Sequence, residues 1–316
     1  MKKILVTGGL GFVGGRLSKK LSKEFNVVVS SRQSMPQEQL VMHGDIMQVL
    51  HKDLLQKEQF PKDIDTVIHL AALNEWDCVK YPSEAIRVNI DETRIILENC
   101  ITNGVKEFIY FSTAHIYANP LTGLIDEEVL PVPVHPYAIT HKAAEDFVIA
   151  ATLQNKIKGI VIRLSNSFGA PILPTVNRWT LLANDLCKQA IEKKQLSLLS
   201  NGCQYRDFVC LTDVEKIINQ LVISNAEQFK KIIYNLGSGI SMRVIDMANA
   251  IASMHNELFG ETILVKLPEG SVAREEATLE FSVKRLLEEG CIIQNDINTE
   301  IKDLLLYCTK YFKAND

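Results

Sequence analysis

The chain has 316 residues, of which 47% are hydrophobic, 23% charged and 7% aromatic, and its formal net charge is −4. That is globular composition, with room for one large domain or two modest ones, and it excludes a disordered chain. There is no dense Lys/Arg run to grip nucleic acid, and no apolar run approaches the roughly 20 residues of a membrane-spanning helix.

From the N-terminus, Met1-Lys2-Lys3 is basic and Ile4-Leu5-Val6 apolar. The apolar part is too short for a secretory leader, so it predicts a strand and a cytoplasmic protein. Val27–Val29, Thr66–Ile68, Phe108–Phe111 and Ile160–Ile162 predict further strands. Between them, Phe12, Val13, Leu17 and Leu21, then Ile86, Ile90, Ile95 and Leu97, have near-helical spacing. Strands that are apolar on both faces and separated by helices predict an α/β fold of Rossmann type, a doubly wound parallel sheet over residues 1–168. The stretch from Ala118 to Pro136, with Pro120, Pro131 and Pro133 inside it, predicts a long irregular loop. Beyond Gly169 the alternation is lost. Residues 169–316 are expected to form mostly a smaller mixed α/β substrate-binding lobe, with segments from about 205–235 returning to the first unit. The seven cysteines are scattered, with no C-x-x-C pair. They support neither a zinc site nor a disulfide framework, and are read as reduced thiols.

Thr7-Gly8-Gly9-Leu10-Gly11-Phe12-Val13-Gly14 follows the first strand and opens a helix. Gly8, Gly11 and Gly14 in that setting let the backbone approach a pyrophosphate at the helix N-terminus, the pattern of a dinucleotide site. At the end of the second strand an Asp or Glu usually accepts from the 2′-hydroxyl of an adenosine ribose. Here the chain reads Ser30-Ser31-Arg32. Hydroxyls and a guanidinium suit a 2′-phosphate, favouring NADP over NAD; the bland reading is a solvated arginine.

With these features the sequence resembles the extended short-chain dehydrogenase/reductase family of nucleotide-sugar epimerases and dehydratases. The glycine turn, Asp45-Ile46 as an adenine-binding pair, and His69-Leu70-Ala71-Ala72 along the cofactor are similar to its motifs. So are Asn89, which supports the site, Thr113 within Phe111–Tyr117 as the catalytic hydroxyl, Tyr137 as the catalytic base, and Glu145. Arg163–Gly169 follows in the family's order and brings Leu164 to the cofactor and Asn166 to the substrate. Arg206 within Gly202–Val209 and, further on, Arg274 look like contacts to the sugar-nucleotide diphosphate. The resemblance implies a nucleotide-sugar substrate, a role in polysaccharide biosynthesis, and a homodimer or higher oligomer. The helices of Ser83–Asn99 and Tyr137–Leu153 would form the interface, or Ala143, Phe147 and Ala150 would serve the core.

One motif departs from the family. Its pattern is Tyr-x-x-x-Lys, in which residues four apart share a helix face and the lysine charge lowers the tyrosine pKa. Here His141 holds that position and Lys142 stands about one hundred degrees around the helix. His141 is expected to bond the ribose and, when protonated, to replace part of the lost charge. Otherwise the site is inactive and the protein is a non-catalytic dinucleotide- or nucleotide-sugar-binding protein.

The family's chemistry implies that Tyr137 takes a hydroxyl proton while hydride leaves sugar C4, with Thr113 on the same oxygen. Its 4,6-dehydratases carry Asp-Glu directly after the threonine, where this chain has Ala114-His115. That argues against a 4,6-dehydratase. His115 titrates in the range for moving a proton next to a keto group, or it simply packs near the loop. A 4-epimerase and a one-way 4-dehydrogenase or 4-ketoreductase need the same residues.

Overall fold

The structure is a computed structural model and describes residues 1–224, 228–272 and 276–313. Its strands are β1 (Lys3–Thr7), β2 (Asn26–Ser31), β3 (Ile46–Leu50), β4 (Thr66–His69), β5 (Glu107–Thr113), β6 (Gly123–Ile125) and β7 (Lys158–Leu164). The second half adds β8 (Asn166–Phe168), β9 (Gln195–Ser197), β10 (Tyr205–Cys210), β11 (Ile233–Leu236), β12 (Ser241–Arg243), β13 (Leu264–Lys266) and β14 (Leu279–Phe281). Seven of them form one sheet in the order β3-β2-β1-β4-β5-β7-β11, every pair parallel. The α/β fold expected from the apolar runs is thus present, and β4 and β5 are buried along their whole length. Helices cover both faces, as a parallel sheet requires. The order reverses between β1 and β4, so the carboxyl ends of these two strands open the crevice in which such sheets bind ligands.

One face of the sheet packs Ile4, Val6, Ile68 and Ile109 against Leu17 and Leu21 of the helix Phe12–Leu21 and against Val214, Ile218 and Leu221 of the helix Leu211–Ile223. The chain therefore comes back from the second half to complete the first core, through that helix and β11. A separate core holds Phe168, Leu186, Phe208, Met247, Ile251 and Leu304. It lies beside a small sheet in which β10 pairs parallel with β8 and antiparallel with β12. Arg16 fastens the two halves: its guanidinium meets Glu215, Glu300 at 3.3 Å, the Ala170 carbonyl at 3.1 Å and Thr212 at 3.1 Å. Among the described residues no helix is long and apolar enough to cross a membrane, and all seven cysteines are buried free thiols.

β3 was not expected from the sequence, and its register corrects one assignment. Ile46 is level with Val27, which is level with Ile4. Asp45-Ile46 therefore stands at the amino end of its strand, whereas the glycine turn follows the carboxyl end of β1. All strands here run parallel, so this pair cannot line the adenine pocket. The residues that leave β3 at the correct end are His51–Leu54, a single helical turn.

Candidate active site

The glycine turn is built as a cradle. Gly8 has φ +64°, a conformation costly for other residues, and a Cβ there would press on the backbone of Leu70 and Ala71 at 3.2 Å. A Cβ on Gly14 would lie 2.2 Å from the Gly8 carbonyl oxygen, so only glycine lets the helix start this close to the strand. A Cβ on Gly11 would meet only the Gly8 carbonyl, at 3.1 Å, and so would project into open space. Gly11 caps the helix Phe12–Leu21 without a side-chain bond, leaving its first N–H groups to a ligand. Phe12 and Val13 anchor that helix on the core. These residues fit a dinucleotide pyrophosphate.

A buried network holds the opposite wall. The Thr7 hydroxyl accepts from the N–H groups of Leu70 (3.1 Å) and Ala71 (3.2 Å). Its proton then goes to Nδ1 of His69 at 2.9 Å, which leaves Nε2–H of His69 to donate to Thr93 at 2.9 Å. Burial pushes His69 down to about 3, consistent with this neutral tautomer. Leu70 and Ala71 are thereby fixed beside the glycine turn, while Ala72 is exposed beyond them.

At the end of β2, the Ser31 hydroxyl donates to the Gln33 carbonyl and accepts from the Gln48 amide, which also holds Met35. Ser31 is therefore committed to its own loop. Arg32 is exposed and makes no side-chain bond among the described residues, so it alone of the pair is free for a phosphate.

Thr113 ends β5, opposite Leu164 of β7, and shares a hydrogen bond with the Tyr137 hydroxyl. Tyr137 sits in the first turn of the helix Pro136–Leu153, where His135 caps by accepting the Tyr137 N–H on Nδ1 at 3.2 Å. His141, one turn on, places its ring 4.3 Å from the Tyr137 ring and edge-on to Tyr110. The structure thus brings Thr113, Tyr137 and His141 together. One expectation needs correction: His141 is not a cation. Only 4% of it is exposed, burial pushes it down to about 3, and the neighbouring His115 acts in the same direction. Its Nδ1 is enclosed without a hydrogen-bond partner among the described residues. Lys142 points elsewhere and pairs with Asp146. Burial raises Tyr137 to about 12, opposed first by the charge of Arg178. The sequence reading missed Arg178, which lies in an irregular stretch with no pattern around it.

Asn89 stands behind the tyrosine helix. It lies in a widened π-type turn, Ile86–Glu92, a feature that frequently marks functional sites. Its Oδ1 accepts the Leu73 N–H at 2.8 Å, and its amide donates to Thr140 at 3.0 Å. With both ends engaged inside the protein, Asn89 positions the loop after β4 and the tyrosine helix. Behind the site, Glu145 and Arg163 form a buried ion pair, and Arg163 donates to the Tyr117 hydroxyl at 2.8 Å.

The second half brings up β10. Asp207 accepts the N–H groups of Ser238 and Gly239 at 2.9 Å each, which pins the turn after β11. Beside it, Arg206 is largely buried and has no bonded carboxylate among the described residues; burial lowers its pKa, with Glu75 opposing. Asn166 donates its amide to the Asp207 carbonyl at 2.9 Å and so holds β8 to β10. Arg274 lies outside the described residues. His115 reaches the site next to Thr113, whose hydroxyl accepts the His115 N–H at 3.2 Å, and its Nε2 stands 3.4 Å from Glu75. Glu75 was also missed, for no local pattern marks it.

Residues 4–237 match the NAD dependent epimerase/dehydratase family. The chain belongs to that family. A dTDP-D-glucose 4,6-dehydratase of Mus musculus is 26% identical over 279 residues, 83% of this chain and 75% of that protein. A putative UDP-glucose 4-epimerase of Methanocaldococcus jannaschii is 28% identical over 284 residues, 86% of this chain and 88% of that one. Among solved structures, the UDP-glucuronic acid 4-epimerase from Bacillus cereus, in complex with UDP-glucuronic acid and NAD, superposes with a TM-score of 0.79 at 23% identity. That match covers 98% of this chain and 99% of the other. The UDP-Glc/GlcNAc 4-epimerase from Campylobacter jejuni gives a TM-score of 0.80 at 20% identity, over 98% and 100% of the two chains. The relatives of this chain thus include both epimerases and dehydratases, and its fold is shared with solved 4-epimerases.

Proposed function

We propose that this protein is a nucleotide-sugar 4-epimerase, which oxidises a sugar at C4 and returns the hydride to the opposite face. The observation that carries this reading is the Thr113–Tyr137 hydroxyl pair at the carboxyl end of β5, beside the crevice of the parallel sheet. When bound, a nicotinamide dinucleotide supplies the hydride acceptor. Its pyrophosphate would be held by the turn Gly8–Gly14 and its ribose by the enclosed Nδ1 of His141. Arg32, exposed and without a side-chain bond among the described residues, supports NADP as that dinucleotide.

Tyr137 takes the C4 hydroxyl proton and Thr113 holds the same oxygen. Arg206, buried without a bonded carboxylate among the described residues, binds the substrate diphosphate, which would neutralise a charge otherwise costly to bury. Ala114-His115 places no carboxylate pair directly after Thr113, which supports epimerisation over 4,6-dehydration. Pairing with a second copy through the helices 82–102 and 136–153 is supported by the exposed Ile86, Ile139 and Phe147.

A second reading, a non-catalytic sugar-nucleotide-binding protein, is favoured by one observation: no cation stands at the position of His141. Both are tested by incubating the protein with UDP-, GDP- and dTDP-sugars, following the near-ultraviolet absorbance of reduced nicotinamide and the products by NMR. Turnover in the wild type that is lost in a folded Tyr137→Phe variant supports the enzyme. Absence of wild-type turnover, with activity appearing only in His141→Lys, establishes the second reading instead.

A further inference from the structure

A ring of hydrogen bonds closes behind Tyr137 through three buried side chains. The stretch Leu70–Asn74 is irregular, so its backbone polar groups turn to side chains for partners. At Leu73 the N–H donates to Oδ1 of Asn89 at 2.8 Å, and the carbonyl accepts from the Cys78 thiol at 3.5 Å. The Asn89 amide donates one hydrogen to the Cys78 sulfur at 3.5 Å and the other to the Thr140 hydroxyl at 3.0 Å. Thr140 in turn donates its proton to the backbone carbonyl of Tyr137, also at 3.0 Å. Asn89, Cys78 and Thr140 are at most 3% exposed, so water cannot stand in for a lost partner.

Two walls of the crevice thus meet at one hydroxyl. On one side, Leu73 continues the stretch that sets Leu70 and Ala71 beside the glycine turn. On the other, Thr140 lies three residues after Tyr137 in the helix Pro136–Leu153, so the two neighbour each other on its surface. A threonine that bonds back to the preceding turn ordinarily serves only its own helix. Here the same hydroxyl is also gripped from outside, by Asn89, which ties the first turn of that helix to the loop after β4. We propose that Thr140 is the positioning residue for Tyr137, anchored by Asn89 and Cys78, and that its hydroxyl sets the approach of the Tyr137 phenol to Thr113 and to the sugar hydroxyl. Buried as it is, Thr140 acts through the peptide carbonyl of Tyr137 and not on the reacting atoms. A small tilt of that turn matters, because misplacing a reacting group by ~1 Å costs up to roughly 100-fold in rate. The Cys78 thiol takes a part in the same geometry: it satisfies Leu73 and leaves the Asn89 amide aimed at Thr140. The rate readout of this assignment rests on the proposed C4 chemistry, whereas a spectroscopic readout tests it without turnover.

The variants are Thr140→Val, which keeps the shape and removes the hydroxyl, and Thr140→Ser, which keeps the hydroxyl. Steady-state turnover is followed against pH with the sugar nucleotide that the wild type converts. In Thr140→Val, kcat is expected to fall roughly tenfold or more while KM stays within about twofold. The rising limb should move upward, because the Tyr137 hydroxyl loses alignment with the Thr113 hydroxyl that helps to acidify it. The groups facing Tyr137 are Arg178, Glu75, Cys78, Tyr110 and His141, and all are kept in this variant, so no change of charge moves the limb. Thr140→Ser should recover most of the rate and the wild-type limb. Cys78→Ala combined with Thr140→Val should cost less than the two separate losses, since both act through Asn89; full additivity overturns the part given to Cys78. For the readout without turnover, the tyrosines are replaced by 3-fluorotyrosine and followed by fluorine NMR, with the Tyr137 signal identified by its loss in Tyr137→Phe. That signal should shift or broaden in Thr140→Val and return in Thr140→Ser. A folded Thr140→Val protein with wild-type kcat and limb, a serine variant as slow as the valine one, or an unmoved Tyr137 signal overturns the inference. If Thr140→Val does not fold, Thr140→Ala takes its place under the same criteria. A wild type that turns over no sugar nucleotide overturns the proposed epimerase alone, and the fluorine signal still decides the role of Thr140.

Discussion

Replacing His141 by lysine would restore the cation that the Tyr-x-x-x-Lys arrangement supplies, and the structure gives the size of the effect. His141 falls from 6.5 to about 3, so its pocket disfavours a cation by roughly 5 kcal/mol. With the same penalty, a lysine would fall from its ordinary ~10.4 to about 7. The His141 and Tyr137 ring centres lie 4.3 Å apart, with the rings tilted by 48°. An ammonium ~5 Å from the phenolate, at an effective dielectric of about 20, contributes roughly 3 kcal/mol. That would bring Tyr137 from about 12 to ~9.6 whenever the lysine is charged. At pH ~7.5 about a quarter of the lysines are charged, and the tyrosinate population rises roughly 60-fold. The assay is single-turnover hydride transfer against pH. His141→Lys should be tens of times faster than wild type at neutral pH, with its rising limb displaced downward. His141→Gln, neutral and similar in reach, should keep the wild-type limb. An unchanged limb in a folded His141→Lys protein, or an equal displacement in His141→Gln, would refute the electrostatic reasoning.

Three further outcomes follow from the same structure. Glu145→Gln should cost roughly 3–5 kcal/mol in denaturant unfolding, because it leaves the Arg163 guanidinium buried without its counter-charge; a loss under about 1 kcal/mol would show that the pair is not structural. His69 and His141 both stand near 3 when folded against 6.5 when free. The unfolded chain therefore binds more protons between those values, and stability is full above about 6.5 and falls as pH drops towards 3. At pH ~5 each should remove roughly 2 kcal/mol, visible in thermal melts, and His141→Gln should abolish about half of the joint effect. Arg178→Ala should raise the Tyr137 pKa, since Arg178 is the leading charge that opposes burial there; hydride transfer should slow severalfold near neutral pH and its limb should move upward, whereas an unmoved limb would place Arg178 outside the site.

The parts legible in the sequence were those with a local cause. A run such as Phe108–Phe111, buried on both sides, has one meaning, and a glycine turn between strand and helix has nearly one. β3 was illegible because it is an edge strand with only partial cover: Ile46 and Val49 pack inward while Met47 is 60% exposed. The run Ile-Met-Gln-Val-Leu therefore carries neither the all-apolar mark of its neighbours nor a clean alternation. Without that strand, the resemblance of Asp45-Ile46 to an adenine-binding pair has no register to test it; with it, the pair falls at the strand's amino end. Glu75 and Gln48 were invisible for another reason. Their partners, His115 and Ser31, lie 40 and 17 residues away in the chain. No spacing rule links a residue after β4 with one after β5; the parallel sheet does, by ending both strands at the same edge.

The loss of the lysine has a physical consequence of its own. In a Tyr-x-x-x-Lys helix the cation and the base are one turn apart on one rigid element, so the tyrosine pKa is set by local geometry. Here the same turn carries a neutral imidazole, and the charge that acts most on Tyr137 is Arg178, between β8 and the helix Leu182–Lys193. Arg206, the other positive group at the site, stands on β10. Both belong to the half of the chain whose own core is separate from that of the sheet. The acidity of Tyr137 is thus tied to how the two halves pack, a contact held in part by Arg16 between Glu215 and Glu300. Loosening that contact with Arg16→Ala should move the pH limb of hydride transfer upward without touching any residue of the site. A variant that lost stability but kept the wild-type limb would show that Tyr137 owes nothing to the second half.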